Sequence, residues 1–285
     1  MSDRKVALKV LFRKRSACLS VMVLLLWIVL ASLPQFFPAL QEIEIDLPKT
    51  RLPPRFEIDQ PLGWMGYDAV GGSVLLHVLN GAQVSLLVSL LTVICCLVLG
   101  IPLGTFAALS RGWGDALVSR LMEVLLSFPP LVLPIAITAM LGGGLVNTIL
   151  ALSLAGWVGT AKLVRGEVRA LSQREFVEAA RALGASSFRI AVSHLLPLII
   201  IPVLIHSVFS IAGIVLAEAG LSFLGLGMGE GYISWGTLLS EGRSYLLESP
   251  HLVIFPSIAL LSLVFSLNFL ADSLRLVLSP KAGAL

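Results

Sequence analysis

Charged residues occur in groups along this chain, and long uncharged stretches separate the groups. Only 13% of the 285 residues are charged, against about 25% in an average soluble domain. Each uncharged stretch exceeds the roughly 18 apolar residues that indicate a membrane-spanning helix. The stretches cover residues 16–41, 69–110, 124–161, 190–217 and 249–271. Because they lack the polar face that a helix of a soluble core needs, the pattern predicts an all-α polytopic membrane protein.

The third stretch predicts two spans, since Gly142-Gly143-Gly144 near its middle favours a tight turn. The chain then has six transmembrane helices. We expect residues 1–80 to contain the N-terminus, a first span that serves as an uncleaved anchor and an extracytoplasmic loop. Residues 81–285 are expected to form a five-helix domain. The predicted spans are 17–34, 82–108, 121–141, 145–163, 197–219 and 251–273.

Lys and Arg are distributed unevenly between the two sides of the predicted bundle. With the N-terminus inside, the segments 1–16, 109–120, 164–196 and 274–285 carry 6, 2, 6 and 2 basic residues, Lys162 being counted with the third. The outside segments carry Lys49, Arg51, Arg55 and Arg243. Cytoplasmic loops are enriched in Lys and Arg, so both termini are predicted to be cytoplasmic. The net charge of +3 therefore reflects topology and indicates no nucleic-acid partner.

Some small and aromatic residues indicate how the helices pack. Gly100 and Gly104 have the GxxxG spacing that allows close approach of two membrane helices. Residues 220–250 are half apolar and interrupted by glycines, which predicts a re-entrant or interfacial structure. Trp235 and Tyr232 in this segment suit the membrane interface.

One segment, residues 172–197, is dense in charge and predicts a pair of short soluble helices between two spans. Ser172 and Glu175 have the S-x-x-E spacing of a capping box, and Gly184 is placed to end the first helix in the left-handed conformation. A second short helix is expected from about Ser187 to His194. A helix of about 11 residues is marginal alone in water, so this element must pack on something.

Two partners are possible for that first helix. It packs either on its own membrane domain as a connector, or into a groove on a separate protein. The small residues Ala179, Ala180 and Gly184 favour the second interpretation, because they permit close approach of a partner surface. One face holds Phe176, Ala179, Ala180 and Leu183, and Arg174, Glu178 and Arg181 lie on or beside the other.

The same segment resembles the EAA loop of ABC importer permeases. That signature is Glu-Ala-Ala, three residues, Gly, nine residues, a hydrophobic residue, any residue and Leu-Pro. Here Glu178-Ala179-Ala180, Gly184 and Leu196-Pro197 have this spacing, and His194 stands where an aliphatic residue is usual. The stretches AEAGLSFLGLG at 217–227, SWGTLL at 234–239 and the final span through Asn268, Asp272 and Arg275 resemble the second permease of dipeptide, oligopeptide and nickel importers.

The resemblance covers nearly all of residues 61–281, with one departure. The family commonly shows G-T-D-x-x-G-R-D-V-L-S-R before its second span. Here residues 66–77 read GYDAVGGSVLLH, so three charges of the pattern are missing between Gly71 and His77. Any role of those charges at the outer mouth is therefore in doubt.

The resemblance implies an ABC importer permease-type fold in the bacterial inner membrane, with an EAA loop at about 164–196. Such a permease pairs with a homologous permease, two ABC ATPase subunits and an extracytoplasmic substrate-binding protein. The implied cargo is a dipeptide or oligopeptide, with nickel or a metal chelate as the alternative. The implied ATPase-coupling residues are Glu178, Ala179, Ala180, Gly184, Phe176 and Arg181.

The residues themselves indicate no catalysis by this chain. The phosphate-binding pattern G-x-x-x-x-G-K-S/T is absent from the sequence. His77, His194, His206 and His251 are scattered without ligand spacing, so no metal or other cofactor is expected. Two other classes are alternatives. A membrane-embedded enzyme, such as an intramembrane protease, would need paired catalytic groups at one depth, and the sequence shows none at matching depth. The missing charges at 71–77 leave open a scaffold or sensor subunit that has lost transport.

Polar residues inside the spans are candidates for the transport pathway or a gate. Glu218 is predicted either to line the outer gate or to tie the fifth span to the segment that follows it. A buried charge in a membrane is costly and often functional. Helix–helix hydrogen bonding explains Ser and Thr equally well. The candidates are Glu218, Asn147 and Asn268, with Ser127, Thr138, Ser153, Ser207 and Ser210.

Overall fold

The computed structural model describes residues 15–37, 40, 45–57, 61–110, 112–229 and 231–278. The basic N-terminal segment 1–16 therefore lies almost entirely outside the described residues, as do residues 279–285. The described part is helical, and its one isolated β-bridge joins Tyr67 to Ser73. Its α-helices are α1 Arg15–Phe36, α2 Val74–Leu109, α3 Trp113–Leu126, α4 Val132–Leu141, α5 Leu145–Leu171, α6 Glu175–Ala182, α7 Ser187–Ile190, α8 Leu196–Phe223, α9 Trp235–Arg243 and α10 His251–Leu278.

The all-α membrane fold is confirmed. Among the described residues, five helical segments are long and apolar enough to cross a membrane: α1, α2, α5, the segment from α7 through α8, and α10. The helix α2 begins at Val74 rather than at the predicted 82, because Gly81 does not end it. A Cβ at Gly81 would lie 2.9 Å from Cδ1 of Trp235, so this glycine stays helical and gives the indole its space.

The predicted third span, 121–141, is not one helix. α3 ends at Leu126 and α4 begins at Val132. The interruption follows from Pro129-Pro130, since proline has no N–H to donate and its ring clashes with the preceding turn. The six predicted passes are retained only if α3 and α4 are counted together as one broken pass.

The helices α2 and α5 form the closest packed pair through the GxxxG glycines. A Cβ at Gly100 would lie 2.7 Å from Cβ of Thr160, and a Cβ at Gly104 would lie 2.5 Å from the carbonyl oxygen of Ala161. Neither helix can move apart without losing contact along this seam. The predicted role of the two glycines as close-packing positions is confirmed.

We expect Gly104→Ala to lower the stability of the purified protein by about 1–3 kcal/mol, the usual cost of overpacking a close contact. Gly166→Ala on α5 is the matched control, because none of the residues that the structure describes lies within 4 Å of a Cβ there and Ala favours helix over Gly. The measurement is the midpoint of thermal unfolding in detergent. Equal midpoints for the two variants would contradict the packing argument.

The helices α1, α9 and α10 meet around two tryptophans. The rings of Trp27 and Trp235 pack edge to face with centroids 5.0 Å apart. Nε1 of Trp27 donates to Oγ of Ser262 at 2.8 Å, and Nε1 of Trp235 donates to the carbonyl of Val78 at 3.0 Å. The prediction that Trp235 lies at the membrane interface is therefore wrong. It is fully buried because both its ring and its N–H find partners inside the bundle, whereas Tyr232 is exposed.

Candidate functional site

The charged hairpin, residues 172–196, projects from one end of the bundle, which we call the hairpin end. Its first helix, α6, has eight residues and begins after Arg174. The predicted capping box does not form. Ser172 instead ends α5, where its N–H donates to the carbonyl of Val168 at 2.9 Å and its hydroxyl to that of Arg169 at 2.8 Å. α5 continues past its predicted end at 163 as far as Leu171, so Ser172 ends α5 and is not available to cap α6.

Gly184 ends α6 in the left-handed conformation, with φ +84°, as the sequence predicts. Its N–H donates to the carbonyl of Arg181 at 2.9 Å, and the N–H of Ala185 donates to that of Ala180 at 3.0 Å. These bonds satisfy carbonyls that the end of a helix would leave without donors. The turn ends α6 and leads the chain into α7, which begins at Ser187.

A single buried side chain anchors α6 to the bundle. Val177 has no exposed surface and packs in an apolar cluster with Val164 and Val168 of α5 and with Ile190. Ala180 is partly buried against the same cluster. Burying a valine side chain contributes about 1.5–3 kcal/mol. The hairpin is therefore a part of the membrane domain's packed core, and its orientation relative to α5 is fixed.

The other side of the hairpin is open. Leu183 is 89% exposed and Phe188 79% exposed, and Phe176 is 39% exposed. Five of the six predicted coupling residues lie on this surface, and Ala180 is the one that turns inward. An apolar patch framed by charges on a rigid support is suited to binding another protein. The exposed predicted residues are Phe176, Glu178, Ala179, Arg181 and Gly184.

The hairpin continues without interruption into the longest helical segment. After Ser186, whose hydroxyl accepts from the N–H of Arg189 at 3.3 Å, α7 leads into a π-helical turn at Ala191–Leu195 and then into α8. The whole segment Ser187–Phe223 has 37 residues and is therefore about 55 Å long at 1.5 Å per residue. It joins the hairpin directly to the opposite end of the bundle.

An ion-pair cluster joins the other loop of the hairpin end to α5. Asp115 in the first turn of α3 accepts from Arg165 at 2.7 Å and pairs with Arg169 at 3.6 Å. The Asp115 and Arg165 side chains are mostly buried, and a carboxylate in the first turn also suits the helix dipole. The cluster fixes the start of α3 against the part of α5 that carries the hairpin.

Glu218, near the opposite end of α8, is completely buried. Ser85 of α2 donates to its Oε2 at 3.1 Å, and Ser222 donates to its Oε1 at 2.7 Å. The hydroxyl of Ser234, the residue that caps α9, also hydrogen-bonds to this carboxyl group. The carboxyl thus joins α8 to α2 and to the start of α9. Of its two predicted roles, this geometry matches the tie between α8 and the following segment.

The other candidate pathway residues are engaged in local hydrogen bonds, except Ser153, whose buried hydroxyl has no hydrogen-bond partner among the described residues. Nδ2 of Asn147 donates to the carbonyls of Leu141 and Gly142, both at 3.1 Å, and so closes the turn between α4 and α5. Nδ2 of Asn268 donates to the carbonyl of Val264 at 2.9 Å. Thr138, Ser207 and Ser210 likewise donate to carbonyls of their own helices. Their assignment to a pathway stays a prediction.

The region with the missing charges forms a cavity of about 530 Å³ at the opposite end. Asp68 accepts the N–H groups of Val70 and Gly72 at 2.9 and 2.7 Å, and its second oxygen lies 3.5 Å from Nε2 of His77. Partial burial raises the pKa of the Glu241 carboxyl, an effect that nearby His77 opposes and Asp68 reinforces. The contact between Asp68 and His77 joins the loop before α2 to the first turn of that helix.

These features define a membrane-embedded protein with an exposed apolar surface on a hairpin that is anchored in its core. The family described as binding-protein-dependent transport system inner membrane component matches residues 100–283. A glutathione transport system permease protein of Pectobacterium atrosepticum is 35% identical over 218 residues, which are 76% of this chain and 72% of that protein. The protein of that name in Escherichia coli is 36% identical over the same shares.

A solved structure of the MetNI methionine ABC transporter in an inward-facing conformation has a similar fold. One of its chains matches with a TM-score of 0.57 and 21% identity, covering 70% of this chain and 95% of that one. At this sequence identity the match supports a similar fold and nothing further. The present chain belongs to the family of binding-protein-dependent transport system inner membrane components, and it is a multi-pass inner-membrane permease subunit of an ABC importer.

Proposed function

We propose that the chain is one of two homologous permeases in an importer of dipeptides or oligopeptides, that it forms half of the translocation pathway, and that it catalyses no reaction itself. Two ABC ATPase subunits would supply the energy, and an extracytoplasmic binding protein would deliver the cargo. The observation that carries this proposal is the charged hairpin, whose Val177 is buried in the bundle while Phe176, Leu183 and Phe188 are exposed.

The rigidity of the hairpin supports a coupling role. A loop that only connected two spans would need no buried anchor and no exposed apolar surface. Here the α6 helix is held by Val177 and by the Gly184 turn, so a force applied to its outer face is transmitted to α5 and α8 rather than absorbed. Glu178 and Arg181 would form polar contacts with the cleft of the ATPase subunit. Ala179 and Gly184 are small and would let the surface of that cleft approach the α6 backbone most closely.

The orientation of the chain follows from this role together with the distribution of Lys and Arg. We infer that the hairpin end is cytoplasmic, where ATP is available, and that both termini are on the same side. The opposite end, with the Asp68–His77 pair and α9, would then face the binding protein.

The cargo class rests on the relatives. Curated relatives at 35–36% identity are named for transport of glutathione, which is a tripeptide. We therefore expect this chain, reconstituted in proteoliposomes with its partner permease, ATPases and binding protein, to support ATP-dependent accumulation of labelled glutathione or another short peptide.

The measurement is uptake of each labelled compound with ATP and with a non-hydrolysable analogue, which serves as the control. Accumulation of a nickel chelate and of no peptide would contradict the peptide assignment and support the alternative cargo. ATP-independent accumulation would contradict the importer mechanism itself.

A further inference from the structure

In the broken pass between α3 and α4, two backbone carbonyl groups have no N–H donor within their helix. Ser127 still donates its N–H to the carbonyls of Glu123 and Val124, at 3.0 and 3.2 Å. In a continuous helix, residues 129 and 130 would donate to the carbonyls of Leu125 and Leu126. Both positions are proline and have no N–H, so those two carbonyls lose their helical donors.

The break lies at membrane depth. α4 has ten residues, about 15 Å of helix, and ends at the turn Gly142–Gly144, where the N–H of Gly144 donates to the carbonyl of Gly227 at the opposite end. The hydrocarbon core of a bilayer is about 30 Å thick. The segment Ser127–Leu131 is therefore near the bilayer midplane.

The break also faces away from its own chain. Leu126, Phe128, Leu131 and Val132 are 50, 45, 42 and 48% exposed, and the residues between them are exposed as well. The buried positions of α4 are Pro134 and Thr138, on the side towards the rest of the bundle.

Irregular backbone at this depth does not face lipid, because each unsatisfied polar group costs several kcal/mol there. It is found where it lines a water-filled cavity or is covered by protein, and in transporters discontinuous helices near the midplane contribute to substrate sites. No hydrogen bond from a described residue reaches the carbonyls of Leu125 and Leu126 across the break, so these two groups require a donor from water, cargo or another subunit.

We propose that Ser127–Leu131 lines the translocation pathway, and that the carbonyls of Leu125 and Leu126 accept hydrogen bonds from N–H or ammonium groups of the passing cargo. Water satisfies them when the pathway is empty. This proposal rests on the proposed import function and deepens it. Backbone acceptors recognise the amide and amino groups common to all short peptides and do not distinguish their side chains, so such a surface suits a permissive carrier.

The first test is accessibility in the complete transporter. Cys18, Cys95 and Cys96 are replaced by Ala, and single cysteines are introduced at Ser127 and Phe128. Leu25→Cys on α1 is the control, being 55% exposed and about 16 Å from the Phe36 end of its helix. We expect a membrane-impermeant thiol reagent to label positions 127 and 128 at least tenfold faster than position 25, and an excess of a transported short peptide that carries no thiol to slow that labelling.

The second test restores the missing donors. The double variant P129A/P130A supplies two N–H groups that can close the helix onto Leu125 and Leu126, and we expect it to raise the KM for glutathione uptake at least tenfold while the transporter still assembles.

Three results would overturn the proposal. One is active cysteine variants in which positions 127 and 128 label as slowly as position 25. Another is labelling that occurs only when the partner permease is absent, which would show that the partner covers the segment. The third is an unchanged KM in the proline variant. Failure of the parent transporter to accumulate any peptide would instead refute the proposed function, so the two failures are distinguishable.

Discussion

Gly184→Trp is expected to abolish uptake and to detach or uncouple the ATPase subunits, while insertion of the chain into the membrane is unaffected. No described residue lies within 4 Å of a Cβ at Gly184, so the indole would project from the surface into the partner. Within the chain itself, the cost is the left-handed backbone, about 1–2 kcal/mol for a residue other than glycine. Glu178→Lys should act in the same direction by reversing a surface charge. The measurements are ATP-dependent uptake and co-purification of the ATPases.

Gly112→Trp is the matched control for that variant. Gly112 also has a positive φ, +71°, also has nothing within 4 Å of its Cβ, and lies in the other loop of the hairpin end. Its ψ of −116° lies outside the left-handed region, so tryptophan there is strained at least as much as at Gly184. Because it does not touch the proposed docking surface, uptake should be largely retained. Normal uptake by Gly184→Trp, or equal losses in both variants, would refute the assignment of the hairpin as the ATPase contact.

Glu218→Ala is expected to destabilise the chain by about 2–4 kcal/mol, because it leaves the hydroxyls of Ser85, Ser222 and Ser234 without their shared acceptor and opens a small cavity. Glu218→Gln should cost less, since its amide still hydrogen-bonds to hydroxyl groups. The measurement is the unfolding midpoint of the purified protein, combined with the KM of uptake.

The control for Glu218 is Glu123→Ala. Glu123 pairs with Arg120 at 2.9 Å on the surface, where both side chains are largely exposed, and such pairs contribute about 0–1 kcal/mol. If Glu218→Ala kept the midpoint of the parent protein and raised KM instead, the carboxyl would be a pathway group and its interpretation as a structural tie would be wrong.

Much of the fold follows from local rules that the sequence displays directly. Uncharged stretches identified the membrane helices because lipid excludes charge regardless of tertiary context. The role of Gly184 is predictable because the end of α6 requires a residue in the left-handed conformation. The role of Gly100 and Gly104 is predictable because their spacing alone places both small residues on one face of a membrane helix. Each of these inferences depends on chemistry within a few residues.

What the sequence did not reveal depends on distant partners. Trp235 is buried because Trp27, more than 200 residues away, offers its ring, and no local pattern signals that contact. Val177 is the anchor of the hairpin, but the apolar face that we predicted contained Phe176 and Ala179 instead. Pro129-Pro130 is a local signal of the broken pass, but the uncharged run continues through it and so predicts one continuous span.

The helical segment Ser187–Phe223 includes a π-helical turn and Pro202 but is continuous, so it is long enough to act as a lever between the two ends of the bundle. If it tilts about its middle by about 10°, each end of a 55 Å rod shifts by about 5 Å, and the two ends shift in opposite directions. A pull on the hairpin that draws the near ends of two such levers together would spread their far ends, where Glu218 secures α9. One tilting motion would thus close the pathway at the hairpin end and open it at the opposite end, without a second conformational change.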